Sequence, residues 1–168
     1  ACTALVDNLE KPITLEPMSK FPVVRDLQVN RSRMFENLKK VKAWIDIDGS
    51  HDIGEGALMA DSDRAKRYVM SECMTCGCCV EACPQYSLNN NFLGAAAISQ
   101  ARLFNMHPTA KNIADERLDT LMQEGGIADC GNAQNCVEAC PKSIPLSESI
   151  AEIGRQVSGK LWSNIFQA

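Results

Sequence analysis

One six-residue segment occurs twice in this chain, and both copies belong to clusters of cysteines. Residues 79–84 and residues 136–141 are both Cys-Val-Glu-Ala-Cys-Pro. The first copy completes a run with regular gaps, Cys73-x2-Cys76-x2-Cys79-x3-Cys83-Pro84. The second copy completes the same frame, Cys130-x2-Ala133-x2-Cys136-x3-Cys140-Pro141, in which an alanine replaces one cysteine. We therefore expect two similar loops of cysteines, of which the second has one thiol fewer than the first.

The spacing of the first run is typical of loops that hold iron–sulfur clusters. Gaps of two residues let three sulfurs of one loop converge on a small inorganic core, and the proline ends the turn. In two-cluster ferredoxins the fourth cysteine of each run binds the other cluster. That rule assigns one cluster to Cys73, Cys76, Cys79 and Cys140, and a second cluster to Cys83, Cys130 and Cys136.

Ala133 determines the type of the second cluster. A methyl group cannot bind iron, so the corner of the cluster that faces Ala133 has no protein ligand. We therefore predict a 4Fe–4S cluster in the first site and a 3Fe–4S cluster in the second. The alternative is a 4Fe–4S cluster whose fourth iron carries water or hydroxide.

Other interpretations of the cysteines and their neighbours fit less well. Structural zinc sites use paired ligands separated by a long gap, and disulfide scaffolds do not need clusters that end in Cys-Pro. Cys78 is expected to be a small buried residue beside the first cluster. His51 and His107 are expected to be surface or capping residues, and Glu81 and Glu138 to face solvent on short helices.

Charge and hydropathy exclude several classes of protein. A formal net charge of −4 argues against a nucleic-acid partner, which usually requires a basic stripe. No apolar run approaches the roughly 18 residues of a membrane span, and we expect no targeting signal. Gly54-x-Gly56 lacks the third glycine of a dinucleotide fingerprint, so nothing predicts flavin binding. We expect a soluble or peripheral protein of a reducing compartment.

Hydrophobic periodicity predicts a mainly α-helical fold. Helices are expected over about 30–45, from a cap at Asp61 or Ser62 to about 72, over 94–105, over 114–124, and from Pro145 onward. The predicted apolar stripes are Met34, Leu38, Val41 and Ile45 on the first helix, and Leu146, Ile150, Ile153, Val157 and Leu161 on the last. Short β-like runs at Thr3–Val6 and Ile13–Leu15 suggest the end of an upstream sheet.

These motifs resemble the iron–sulfur subunits of succinate dehydrogenase and fumarate reductase. The resemblance is carried by Leu15-Glu16-Pro17, by residues 22–27, by the run from Cys73 to Pro84 and by residues 129–142, with a non-cysteine at 133. It implies an α-helical ferredoxin-like domain with two cluster-binding loops over 29–168. Residues 1–28 would be the tail of an upstream β-rich 2Fe–2S ferredoxin domain and a linker. Cys2 would be the last ligand of that 2Fe–2S cluster, whose other ligands are absent from this chain.

The resemblance also implies a function and partners. Electrons would pass between a flavoprotein subunit carrying FAD and a quinone bound with membrane anchor subunits, through 2Fe–2S, 4Fe–4S and 3Fe–4S clusters. The protein would lie peripherally on the cytoplasmic face of a bacterial inner membrane, or on the matrix face in a mitochondrion. The resemblance places Pro84 in the vicinity of the quinone. Ubiquinone-using members have two tryptophans and a histidine where this chain has Ser87, Leu88 and Gly131, which favours menaquinone.

Three alternative functions remain open at this point. The first is an iron–sulfur subunit of the heterodisulfide reductase or glycerol-3-phosphate dehydrogenase type, in which both runs usually carry four cysteines. The second is a free two-cluster ferredoxin, which would be shorter. The third is a nucleic-acid enzyme in which a cluster only stabilises the fold. The acidic charge balance and the second cluster disfavour this alternative.

Overall fold

The fold is mainly helical, with seven α-helices in the part of the chain that the computed structural model describes, residues 5–8, 10, 12–46 and 58–167. Their bounds are α1 Ser32–Lys40, α2 Asp61–Ser71, α3 Cys78–Glu81, α4 Ala95–Asn105, α5 Ala114–Met122, α6 Asn135–Glu138 and α7 Leu146–Gln167. Two 3-10 turns, Ala110–Ile113 and Ile127–Asp129, flank α5. The prediction of a mainly helical fold is confirmed.

The β structure differs from the prediction. Within the described residues the strands are β1 Val23–Arg25 and β2 Gln28–Val29, which form one antiparallel hairpin. Residues 13–15 are not in a strand, and Ile13 and Leu15 are exposed. Of the other predicted run, Leu5 and Val6 are also outside any strand, and residues 3 and 4 lie outside the described residues. Alternation over three or four residues is too short a pattern to specify a strand without a partner strand.

Helix α4 lies at the centre of the core. Its first turn consists of small residues, Ala95–Ala97, all buried, so neighbouring elements can approach its backbone closely. Helices α1, α2, α3, α5 and α7 all contact it. A buried polar contact crosses its interface with α7, where Arg102 binds Glu148 at 2.7 Å and also reaches the Ser149 hydroxyl at 3.3 Å.

Helix α7 has the predicted apolar stripe only over its first half. Leu146, Ile153 and Val157 are buried, and Ile150 packs against the core at its edge. Leu161 is 45% exposed, because the helix continues past the body of the domain. None of the helices in the described ranges has both the length and the apolarity needed to cross a membrane.

Helix α1 is shorter than predicted, and α2 begins differently. Lys42 has a φ of 48°, a left-handed conformation that ends the helical path, so Ile45 is exposed instead of buried. The predicted cap of α2 is wrong, because Asp61 is the first helical residue and pairs with Arg64 at 2.7 Å. The residue that precedes α2, Ala60, makes no side-chain capping hydrogen bond.

A buried arginine joins the chain beyond α1 to the rest of the fold. Arg117 on α5 is fully buried and donates to the backbone carbonyls of Lys42 at 2.9 Å, Trp44 at 3.0 Å and Ala110 at 2.7 Å. Its fourth partner is the side-chain oxygen of Asn105, at 3.3 Å. These bonds give the buried guanidinium group four hydrogen-bond acceptors, which is the condition for burying a charged group without a large cost.

Candidate iron–sulfur site

The two cysteine loops have the same backbone design. In both loops a four-residue helix, α3 or α6, begins five residues after the first cysteine. The residue two positions after that cysteine is left-handed in each loop, with φ of 49° at Thr75 and 51° at Asn132. So is the residue before the short helix, with φ of 94° at Gly77 and 62° at Gln134. These two reversals fold each loop back on itself, so its thiols face inward.

The first loop surrounds a cavity. Four cysteines are among its lining residues: Cys73, Cys76, Cys79 and Cys140. Three of them belong to the first run, and Cys140 is the last cysteine of the second run. Residues of the core, including Met34, Ala96 and Ile144, close the other walls. The thiols therefore face a largely apolar chamber.

The second loop surrounds a cavity of similar size. Its sulfur-bearing residues are Cys83, Cys130 and Cys136, and Ala133 is the neighbour that offers only a methyl group. Cys83 belongs to the first run. Each cavity is thus lined by cysteines of both runs, and the groupings are those that the spacing predicted. Helices α3 and α6 are in contact, so the two cavities are neighbours.

Burial makes these thiols poor thiolates on their own. It raises the pKa of the Cys79 thiol to about 12, and the neighbouring sulfurs of Cys73, Cys76, Cys136 and Cys140 add to the shift. Burial likewise raises the pKa of Cys73 and Cys136. Thiolates gathered in an apolar chamber require a compensating positive charge, which bound iron supplies.

The donor set, four thiols at one cavity and three at the other, fits iron–sulfur clusters. Across the described residues, no three His, Cys, Asp or Glu side chains are close enough together to hold one metal ion. The cysteines instead stand around the walls of a chamber, as ligands of a polynuclear core would. Burial raises the pKa of Cys73 and Cys136, and hydrogen bonding to the backbone at Thr75 and Val137, respectively, offsets part of that shift. Such bonds favour the thiolate form that iron requires.

Glu81 was predicted to face solvent, and that prediction is wrong. Its carboxylate is half-buried and accepts three hydrogen bonds, from the Ser19 N–H at 2.8 Å, the Ser19 hydroxyl at 2.6 Å and the Lys20 N–H at 3.0 Å. Burial alone would raise the pKa of Glu81, but these bonds and the Lys20 charge outweigh it, so the pKa lies below its usual value. Glu138, at the same position of the second copy, is exposed as predicted.

The remaining predicted residues have mixed outcomes. Cys78 is only half-buried, and its thiol is hydrogen-bonded to that of Cys76, so the prediction of a buried residue is wrong. The His107 ring accepts from the N–H groups of Thr109 at 3.1 Å and Ala110 at 3.2 Å, which confirms a capping role. Pro84 is exposed at the rim of the second cavity. Cys2 and His51 lie outside the described residues.

Two cations that contact the loops were not predicted. Lys20 donates from its ammonium group to the backbone carbonyl of Cys83. Arg31 donates to the carbonyl of Thr75 at 2.8 Å. Both belong to the segment that precedes α1, far from the loops in sequence, and no spacing rule relates them to the cysteines.

Comparison with known proteins agrees with this architecture. Residues 69–144 match the family model described as a 4Fe-4S dicluster domain. The fold is similar to that of a chain in the Mycobacterium smegmatis Sdh1 complex in the apo form, with a TM-score of 0.71 and 22% identity. That similarity covers 88% of this chain and 62% of the other. The helical fold, the paired cavities and the domain match together define a two-cluster iron–sulfur protein.

Sequence comparison specifies the family. The chain is 57% identical to the succinate dehydrogenase iron-sulfur subunit of Bacillus subtilis over 99% of its own length and 66% of the relative's. It is 36% identical to the fumarate reductase iron-sulfur subunit of Mycobacterium tuberculosis over 86% of its own length and 59% of the relative's. The chain belongs to this family of iron–sulfur subunits, which confirms the predicted resemblance. It spans just under two thirds of the length of these relatives.

Proposed function

We propose that this chain is an electron-transfer subunit that relays electrons between a flavoprotein carrying FAD and a quinone at the membrane. One observation carries the proposal, namely two adjacent thiol-lined cavities, each formed by cysteines of both runs. Bound iron–sulfur clusters supply the one-electron chemistry, and the chain positions them and sets their surroundings. The substrate pair is succinate and fumarate, as the names of the relatives suggest.

The ligand sets follow from the linings of the cavities. We assign a 4Fe–4S cluster to Cys73, Cys76, Cys79 and Cys140, and a 3Fe–4S cluster to Cys83, Cys130 and Cys136. Ala133 beside the second set supports the three-iron form, because no other sulfur is among the residues that line this cavity. A 2Fe–2S cluster held by Cys2 and residues outside this chain would belong to a separate domain that ends in the segment 1–28, with the helical domain covering 29–168.

The rim of the second cavity supports a quinone other than ubiquinone. At Gly131 an added Cβ would lie 2.6 Å from the side-chain amide nitrogen of Gln85, so Gln85 occupies the space that a side chain at 131 would need. Pro84 lies beside it, exposed. We propose that a menaquinone-type partner approaches here, held mainly by membrane anchor subunits. The chain would then be peripheral, on the cytoplasmic face of a bacterial membrane.

Metal analysis and spectroscopy of the anaerobically purified complex test this function. The protein should contain iron and acid-labile sulfide, and its oxidised form should give the electron paramagnetic resonance signal of a 3Fe–4S centre. Succinate should reduce the clusters in the complex, and NADH should serve as the inactive control. Zinc in place of iron, or no sulfide, would overturn the assignment.

A further inference from the structure

The segment before α1 places two cations on backbone carbonyls of the first cysteine run, at residues next to different cavities. Lys20 precedes the β-hairpin and contacts the carbonyl of Cys83, and Arg31 follows the hairpin and contacts the carbonyl of Thr75. Both residues are half-buried. Thr75 lies in the loop around the first cavity, whereas Cys83 closes the first run in sequence but lines the second cavity. The two cations therefore lie next to different cavities.

The contacts around Lys20 hold its backbone in place. The Glu81 carboxylate binds the N–H groups of Ser19 and Lys20 at 2.8 and 3.0 Å. The next residue, Phe21, is only 3% exposed, and its ring packs on Gly77, where an added Cβ would lie 3.1 Å from it. The ammonium group of Lys20 thus extends from a backbone that is held in place, and it is bound to the carbonyl of Cys83.

We propose that Lys20 is a positioning residue that raises the reduction potential of the cluster in the second cavity, and that Arg31 does the same for the first. The proposal rests on the proposed function, because it requires both clusters. Reduction adds one electron to a cluster, and a fixed cation stabilises that added charge. The effect is large where surrounding protein excludes water, since charges then interact more strongly than in bulk solvent.

Redox titration of three variants in the intact complex tests the proposal. Lys20→Gln keeps a hydrogen-bond donor and removes the charge, Arg31→Gln does the same at the first loop, and Lys39→Gln removes an exposed cation of α1 as the control. The two clusters are followed separately by their electron paramagnetic resonance signals. At a fixed potential, Lys20→Gln should lower the reduced-to-oxidised ratio of the 3Fe–4S cluster on the order of tenfold, about 59 mV for one electron.

We expect the two loop variants to shift the potentials of different clusters. Lys20→Gln should shift the 3Fe–4S cluster more than the 4Fe–4S cluster, Arg31→Gln should do the reverse, and Lys39→Gln should shift neither. Equal shifts at both clusters, or none, would overturn the proposal while leaving the proposed function intact. Absence of clusters from the unaltered complex would instead refute the function.

A charge-retaining variant covers the case in which the Gln variant loses its clusters. Lys20→Arg should keep both clusters and their potentials close to those of the unaltered protein. If Lys20→Arg retains the clusters but the 3Fe–4S potential falls as far as expected for charge removal, charge is not the cause and the proposal is wrong. Loss of clusters in Lys20→Gln and Lys20→Met but not in Lys20→Arg would show that Lys20 is needed to retain the clusters. That result would also overturn the proposal that Lys20 sets the reduction potential.

Discussion

Gly94 lies against Val80 so closely that a Cβ added to Gly94 would be 2.6 Å from Cγ1 of Val80. Gly94 precedes α4 with φ of 86° and ψ of 158°, a conformation that residues with a side chain rarely adopt. Val80 belongs to α3, directly after Cys79. Helix α4 can therefore pack this closely on α3, which carries the candidate ligand Cys79, only because residue 94 has no side chain.

The first prediction concerns this contact. Gly94→Ala should lower the free energy of unfolding by about 2–4 kcal/mol, because backbone strain adds to a steric clash with Val80. Thermal unfolding of the purified protein, scanned at one rate, measures the loss. Gly159→Ala is the matched control, since nothing lies within 4 Å of a Cβ added there. It should be neutral or stabilising by about 0.5–1 kcal/mol, as expected in a helix interior.

The second prediction separates neighbours in sequence from neighbours in space. Cys140→Ser should remove or alter the 4Fe–4S signal and largely spare the 3Fe–4S signal, since Cys140 lines the first cavity. Cys83→Ser should have the opposite effect, because Cys83 lines the second cavity. Electron paramagnetic resonance of oxidised and reduced samples measures both. Cys78→Ser, which changes a half-buried thiol outside the assigned ligand sets, should retain both signals. The assigned sets would be contradicted if Cys140→Ser removed only the 3Fe–4S signal and Cys83→Ser removed only the 4Fe–4S signal.

The third prediction concerns the alanine of the second loop. Ala133→Cys would give the second cavity a fourth thiol, so the three-iron signal of the oxidised protein should disappear and the iron content should rise by one atom per chain. Ala133→Ser is the control of similar size, with a weaker ligand, and should retain more of the three-iron form. Unchanged spectra in Ala133→Cys would show that residue 133 does not face the open corner of the cluster.

The fourth prediction concerns Arg117. Arg117→Met should lower the free energy of unfolding by about 3–5 kcal/mol, because the four hydrogen bonds that join α5 to residues 42, 44, 105 and 110 are lost at once. The exposed Arg155, paired with Glu152 within α7, provides the control. Arg155→Met should cost less than about 1 kcal/mol, as surface ion pairs usually do. Equal thermal midpoints for the two variants would show that the Arg117 contacts do not stabilise the fold.

Local patterns predicted the parts of the molecule that depend on local chemistry. Helices α5 and α7 were predicted from apolar residues at helical spacing, and α4 from its run of small residues, with Pro or Gly near the ends of each. The grouping of Cys140 with the first loop and of Cys83 with the second was expected from the spacing, and the cavities have these linings. Their binding to iron stays a prediction.

Long-range contacts account for most of what the sequence did not predict. The end of α1 depends on the left-handed Lys42, whose carbonyl is bound by Arg117 on another helix. The local sequence predicts that Glu81 faces solvent, but in the fold its carboxylate accepts hydrogen bonds from Ser19 and Lys20. Nothing in a single sequence relates residues that far apart, because their pairing is set by the packing of the whole domain.

The mixed lining of the two cavities also has a consequence for biosynthesis. The ribosome releases residues 73–83 well before residue 140, so an emerging chain holds an incomplete set of thiols at both sites. With these linings as the ligand sets, the first cluster cannot be completed before Cys140 has been synthesised, and a proteolytic cut between the loops would leave neither fragment with a full set. The internal duplication can thus no longer be divided into two working halves.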